Sequence, residues 1–291
     1  MLQIEFALKR ALGISVSDYV DRVVVITGAS SGIGEELAKA FFREGARLAL
    51  LARRLERLEE LRQKLDPSGQ RILIIKTDVT SDTDVESAVK QILASFKGID
   101  VVIANAGLSI SGRMETLSLA DYRRQFETNI FGVLRIIQAT LPSLAERKGQ
   151  LALMGSVAGF ISQPFVSPYA MSKFALTALA GSLYHELRSR GVSVSLIAPG
   201  FVQSEIQQID KDGKYNPNLK RWIPDWITVP VEQAVGEMMV GLKLRKKTMV
   251  ITHHGRWLIF FQRFLPWAID VVVSWGTKKR LAAHREQKLK G

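Results

Sequence analysis

The chain has 291 residues, of which 47% are apolar and 23% charged; this is the balance of a folded globular domain and excludes a disordered chain. The absence of cysteine rules out disulfides, thiolate catalysis and cysteine-ligated metal centres. Of the net charge of +12, residues 243–291 carry +10, with twelve Lys/Arg against Asp270 and Glu286; the basicity sits at one end and points to an anionic surface as its partner.

Residues 1–22 have no apolar run long enough for a signal peptide, and within them residues 2–14 alternate apolar and charged positions with helix-like spacing, so an N-terminal amphipathic arm is expected at 1–20. Residues 23–26 (VVVI) read as a parallel strand buried on both faces. The strand runs into Thr27-Gly28-Ala29-Ser30-Ser31-Gly32-Ile33-Gly34, and helical periodicity follows over 35–44. Strand, glycine-rich turn and helix together aim a helix N-terminus at a pyrophosphate. A second strand, 47–52, ends at Arg53-Arg54, where a dinucleotide fold places the adenosine ribose. Arginine there suits a 2′-phosphate, so NADP(H) is favoured over NAD(H); Arg54 also reads as the start of the helix at 55–65, which leaves Arg53 the stronger candidate. A strand at 72–76 ends near Asp78-Val79, a helix spans 82–96 behind Ser81 or Asp82, and a strand at 100–104 leads into Asn105-Ala106-Gly107. Alternation of strand and helix with short connections calls for a parallel sheet.

These motifs, in this order and spacing, resemble the short-chain dehydrogenase/reductase family over roughly residues 20–255, in its shorter branch with a core of about 250 residues. The resemblance implies that Gly28, Ser30, Ser31, Gly32, Ile33 and Gly34 meet the pyrophosphate of a nicotinamide dinucleotide. It implies that Asp78 and Val79 hold the adenine, and that Asn105, Ala106 and Gly107 support the central strand near the nicotinamide ribose. Ala104 departs from the family, many members of which have asparagine there.

A long helical segment is expected within 119–144, and the resemblance makes Asn129 inside it a catalytic residue that interrupts the helix and holds a proton-relaying water. A strand at 150–155 ends at Ser156, and thirteen residues on comes Tyr169-Ala170-Met171-Ser172-Lys173. Tyr169 and Lys173 share one helix face, and a cation beside a phenol favours the phenolate. By resemblance Tyr169 is the proton donor or acceptor, Lys173 lowers its pKa and binds the ribose hydroxyls, and Ser156 steadies the substrate oxygen. After a strand at 192–198, Pro199, Gly200, Val202 and Ser204 are implied to flank the nicotinamide. Residues 203–229 read as a substrate lid whose aromatic residues suit an apolar substrate. A helix at 230–242 and a strand at 248–252 complete seven strands. His185, His253, His254 and His284 show no metal-ligand spacing and read as surface or capping residues, so no metal is expected.

Residues 257–275 (WLIFFQRFLPWAIDVVVSW) place Arg256, Gln262, Arg263, Pro266, Asp270 and Ser274 in one sector of about 120° on a helical wheel. Arg263, Pro266 and Asp270 disfavour a transmembrane span. The wide apolar face, the tryptophans and the following basic residues fit a helix lying in a membrane interface, with Pro266 kinking or splitting it. Packing of that face on a partner subunit or on the body is the competing reading. No nucleic-acid reader motif accompanies the charge.

The expectation is therefore an α/β chain built as a single Rossmann-type doubly wound domain at 21–255, with an arm at 1–20 and an amphipathic helix plus basic tail at 256–291. The expected activity is an NADP(H)-dependent oxidoreductase interconverting a ketone and a secondary alcohol on a hydrophobic, lipid-like substrate. It is expected to be cytoplasmic, peripherally membrane-associated and a homodimer or homotetramer by resemblance. Loosely similar are hydroxysteroid dehydrogenases and keto-sphingoid reductases. The alternatives are a 3-oxoacyl chain reductase and a non-catalytic cofactor-binding regulator or membrane scaffold.

Overall fold

The structure is a computed structural model that describes residues 19–208, 215, 216, 218, 219, 223 and 225–289, the side chains of 207, 225 and 279–289 excepted. Residues 1–18 of the expected arm at 1–20 lie outside the described residues, as does much of the expected lid. Tyr19, two residues before the expected start of the body, is already part of the core, edge-on to Phe41 at 4.8 Å and donating to Gln150 Oε1 at 3.2 Å.

Seven parallel strands run in the order β3-β2-β1-β4-β5-β6-β7: β1 (Val23–Thr27), β2 (Arg47–Ala52), β3 (Ile72–Lys76), β4 (Val101–Ala104), β5 (Gln150–Met154), β6 (Ser193–Pro199) and β7 (Thr248–Ile251). Successive strand side chains face opposite sides. In β1, Val24 and Ile26 join Leu37, Phe41 and Met238 in one apolar layer, under α1 (Gly32–Arg43), α2 (Leu55–Leu65) and α7 (Val231–Lys243). Val23 and Val25 join Val85, Ile92, Ile136 and Leu176 in the other, under α3 (Asp82–Phe96), α5 (Gly132–Glu146) and α6 (Ser167–Glu186). Both faces are covered, which is why the strands read as unbroken apolar runs. The order of strands reverses between β1 and β4, so a crevice opens outside their carboxyl ends.

Two helical segments are interrupted, at the residues where a break was expected, Asn129 and Pro266. The segment within 119–144 is α4 (Leu119–Phe126), started by a reciprocal Ser118/Asp121 capping box, then a π-helical turn over Glu127–Phe131, then α5. The C-terminal helical segment is split at Pro266 into α8 (His253–Phe264) and α9 (Pro266–Leu289), meeting at a 117° bend. Proline cannot continue the hydrogen-bond ladder of α8, so the chain turns at Leu265 and restarts with Pro266 in a first turn, where its missing N–H costs nothing.

Candidate active site

A cavity of about 550 Å³ lies at the carboxyl edge of the sheet, and the end of every strand contributes to its wall, through Gly28, Arg54, Asp78, Asn105, Ser156, Gly200 and His254. The glycine-rich turn forms one end. Gly28 and Gly32 have φ of +66° and +57°, the left-handed region. A Cβ on Gly34 would stand 2.3 Å from the carbonyl oxygen of Gly28 and 2.6 Å from Asn105 Nδ2. Asn105 earns that proximity: its amide donates to Thr27 O at 2.9 Å, while Thr27 Oγ1 accepts from the N–H groups of Asn105 and Ala106 at 3.0 and 2.9 Å. These bonds fasten the end of β1 to the end of β4.

Ser31 is the N-cap of α1, yet its side chain accepts no hydrogen bond from the helix amides. Its hydroxyl is instead the acceptor for Arg54 Nη2 at 2.7 Å, and Arg54 Nε reaches Ser30 Oγ at 3.2 Å. The first-turn amides of α1 thus lack a side-chain cap, beside a guanidinium, in a turn with no room for a Cβ on Gly28 or Gly34. That arrangement fits a phosphate-bearing ligand. Arg53 also borders the cavity. Of the two arginines expected near the 2′-phosphate, Arg54, the weaker candidate, is the one laid across the glycine-rich turn.

Asn129 is 1% exposed, lies behind the cavity wall and sits at the centre of the π-turn. Its side chain accepts from Leu108 N at 3.0 Å and donates to Leu108 O at 3.1 Å and to Ser172 Oγ at 3.1 Å. Ser172 donates in turn to Tyr169 O at 2.7 Å, so the π-turn, the loop after β4 and α6 are linked one turn from the phenol. Such single-turn π segments occur often at functional sites.

Ser156, Tyr169 and Lys173 all border the cavity. Burial pushes the Tyr169 phenol above its ordinary pKa, and the hydrogen bond with Ser156 offsets only part of this. Burial alone brings the Lys173 ammonium down to about 8. The sequence reading had Lys173 drawing the phenol toward neutrality. Here Lys173 Nζ donates to Met154 O at 2.7 Å, stands 5.6 Å from the centre of the Tyr169 ring, and desolvation of the phenol wins.

Every other residue expected at the site from the sequence lies on the same cavity. His254 and Leu258 of α8 were not expected there, and His254 is no surface residue. Its Nε2 accepts from Phe201 N at 2.9 Å, its ring stacks on Phe201 at 5.3 Å, and burial, with the charge of His253, keeps its pKa below the usual histidine value. Thr252, at φ +84°, makes the turn that brings it in. The available signal was positional: a residue just past the last parallel strand belongs to the same edge as the ends of the others. Glu205 was also missed, because its significance is its two arginine partners, 148 and 151 residues away in sequence.

The family model described as short chain dehydrogenase matches residues 22–214. The chain is 36% identical over 189 residues to Dehydrogenase/reductase SDR family member 7B of Mus musculus, a match covering 63% of this chain and 58% of that protein. It is 32% identical over 270 residues to Dehydrogenase/reductase SDR family member 7 of Homo sapiens, covering 90% and 80%. Among solved structures it is similar to an alcohol dehydrogenase from the archaeon Thermococcus sibiricus complexed with 5-hydroxy-NADP, with TM-score 0.68 and 30% identity over 79% of this chain and 95% of that one. With its parallel sheet, its glycine-rich crevice and this match over most of the sheet, the chain belongs to the short chain dehydrogenase family.

Proposed function

We propose that this oxidoreductase uses NADP(H) to interconvert a ketone and a secondary alcohol on a hydrophobic, lipid-like substrate. The observation that carries the reading is the convergence of Ser156, Tyr169 and Lys173 with the phosphate cradle on one cavity. The Gly28–Gly34 turn, Arg54, Asp78 and Asn105 would hold the dinucleotide, whose nicotinamide supplies the hydride chemistry. Tyr169 gives its proton to the substrate oxygen in reduction and recovers it in oxidation. Ser156 hydrogen-bonds that oxygen and offsets the charge that develops on it. Lys173, titrating near neutrality, replenishes the phenol proton and favours the phenolate whenever it carries its charge. Asn129 positions α6 against the loop after β4.

Arg54 and Arg53 support a 2′-phosphate, and the relative solved with 5-hydroxy-NADP agrees with that choice. The apolar character of the substrate is supported by Leu108, Val157, Val166, Ile206, Ile223 and Leu258 in the cavity wall. Outward from that wall α8 and α9 expose Trp257, Phe264, Trp267 and Trp275 by 60–67%. Among the described residues no single helix is long and apolar enough to cross a membrane, although the bent pair α8–α9 has the length and composition to do so. With the basic residues that follow, these helices are read as resting on an anionic bilayer, which brings a lipid substrate to the wall of the cavity. NADPH consumption with a panel of long-chain and polycyclic ketones, with NADH in parallel, tests the reading; turnover confined to small polar ketones, or faster with NADH, contradicts it.

A further inference from the structure

The carboxylate of Glu205 borders the cavity beside Arg54 and the glycine-rich turn, where a negative charge repels a phosphate. Arg54 Nη1 donates to Glu205 Oε2 at 3.2 Å, and Arg57 Nη1 donates to both carboxylate oxygens at 2.8 and 2.9 Å. Ser204, its neighbour, is so close above the glycine-rich turn that a Cβ on Gly32 would stand 3.4 Å from Ser204 Cβ. One guanidinium, Arg54, therefore serves both the Ser30/Ser31 turn and an anion from the segment after β6. The Glu205 side chain is only 26% exposed and that of Arg54 31%, so water screens the pair incompletely.

We propose that Glu205 competes with the 2′-phosphate of the dinucleotide for the Arg54 guanidinium and so sets how strongly the protein discriminates phosphorylated from unphosphorylated cofactor. This rests on the NADP(H) reading above. A carboxylate and a phosphate offer the same fork-shaped acceptor to an arginine, and one guanidinium edge holds one of them at a time. Glu205 weakens the 2′-phosphate contact by the free energy needed to leave Arg54, while Arg57 keeps the displaced carboxylate paired. A dinucleotide without the phosphate leaves the Glu205–Arg54 bond in place.

Adenosine 2′,5′-bisphosphate and 5′-AMP differ only by the phosphate in question, and their binding to the full-length protein can be followed by calorimetry. Glu205→Gln is expected to bind the bisphosphate about fivefold more tightly, the upper range for a partly exposed ion pair, with 5′-AMP changed less than about twofold. Glu205→Asp keeps the charge but is one methylene too short to span both arginines, and is expected to resemble Glu205→Gln. Equal bisphosphate affinity in wild type and Glu205→Gln, a gain shared by 5′-AMP, or wild-type behaviour of Glu205→Asp each overturns the competition while leaving the cofactor reading intact. A wild type that binds the two nucleotides equally overturns both.

Discussion

The ammonium of Lys173 donates to the carbonyl oxygen of Met154 at 2.7 Å, which ties α6 to the end of β5 two residues before Ser156. The lysine therefore has a structural bond as well as a place beside the phenol, and it makes that bond in a site where it is 4% exposed.

Burial of this charge has a measurable consequence. Below about pH 8 folded and unfolded chains both hold the Lys173 proton, and the folded state bears the full cost of desolvating it. Between about 8 and the ordinary lysine value of 10.5 only the unfolded chain holds it, so stability rises with pH through that window. The shift corresponds to about 3 kcal/mol. Lys173→Met is expected to be more stable than wild type at pH 7, to lose the rise between pH 8 and 10.5, and to lose turnover by at least about a hundredfold. Denaturant unfolding at pH 7 and pH 10 checks the first two; a destabilised variant with an unchanged pH profile contradicts the burial account.

Gly34 packs its backbone on the carbonyl of Gly28 with no room for a side chain. Gly34→Ala must push the Asn105 amide away or open the turn. The expected outcome is a loss of about 1–3 kcal/mol in stability and at least a tenfold loss in NADPH affinity. Retention of wild-type affinity in nucleotide titrations speaks against this turn as the phosphate cradle.

Gln125 is fully buried; it accepts from Ile110 N and donates to Leu108 O, both at 2.7 Å. In Gln125→Ala the carbonyl of Leu108 keeps Asn129, but the N–H of Ile110 loses its partner. We predict a stability loss of about 3 kcal/mol, read by chemical denaturation. A loss below about 1 kcal/mol shows that the loop after β4 is held by other means.

For the C-terminal helices, the combined variant Phe264→Ser, Trp267→Ser, Trp275→Ser is expected to stop floating with vesicles that contain anionic lipid. Wild type is expected to float with them and to release in high salt. Equal flotation of variant and wild type removes the membrane-contact proposal.

The sheet was readable because strands covered on both faces become apolar runs such as VVVI and RLALLA, with turn chemistry between them. Glycine spacing marked the turn after β1 for the same reason that a Cβ cannot fit there. The break at Asn129 was expected by resemblance, but its form, a π-turn over Glu127–Phe131, was not. Pro266 announced a break in the C-terminal helix but not its 117° angle, which packing sets. Glu205 and His254 were overlooked because their partners lie far off in sequence, as Glu205 does from Arg57. The raised pKa of Tyr169 was likewise invisible: spacing places Lys173 beside it but says nothing of how dry the site is.

The central claim is that the Tyr169 hydroxyl exchanges the proton at the substrate oxygen. Tyr169→Phe removes one oxygen atom and leaves the cofactor cradle untouched, so NADPH titration and steady-state ketone reduction on the same preparation separate binding from chemistry. The expected result is an NADPH affinity within about twofold of wild type and a kcat lower by about a thousandfold. A variant that binds NADPH and still turns over at the wild-type rate contradicts the account.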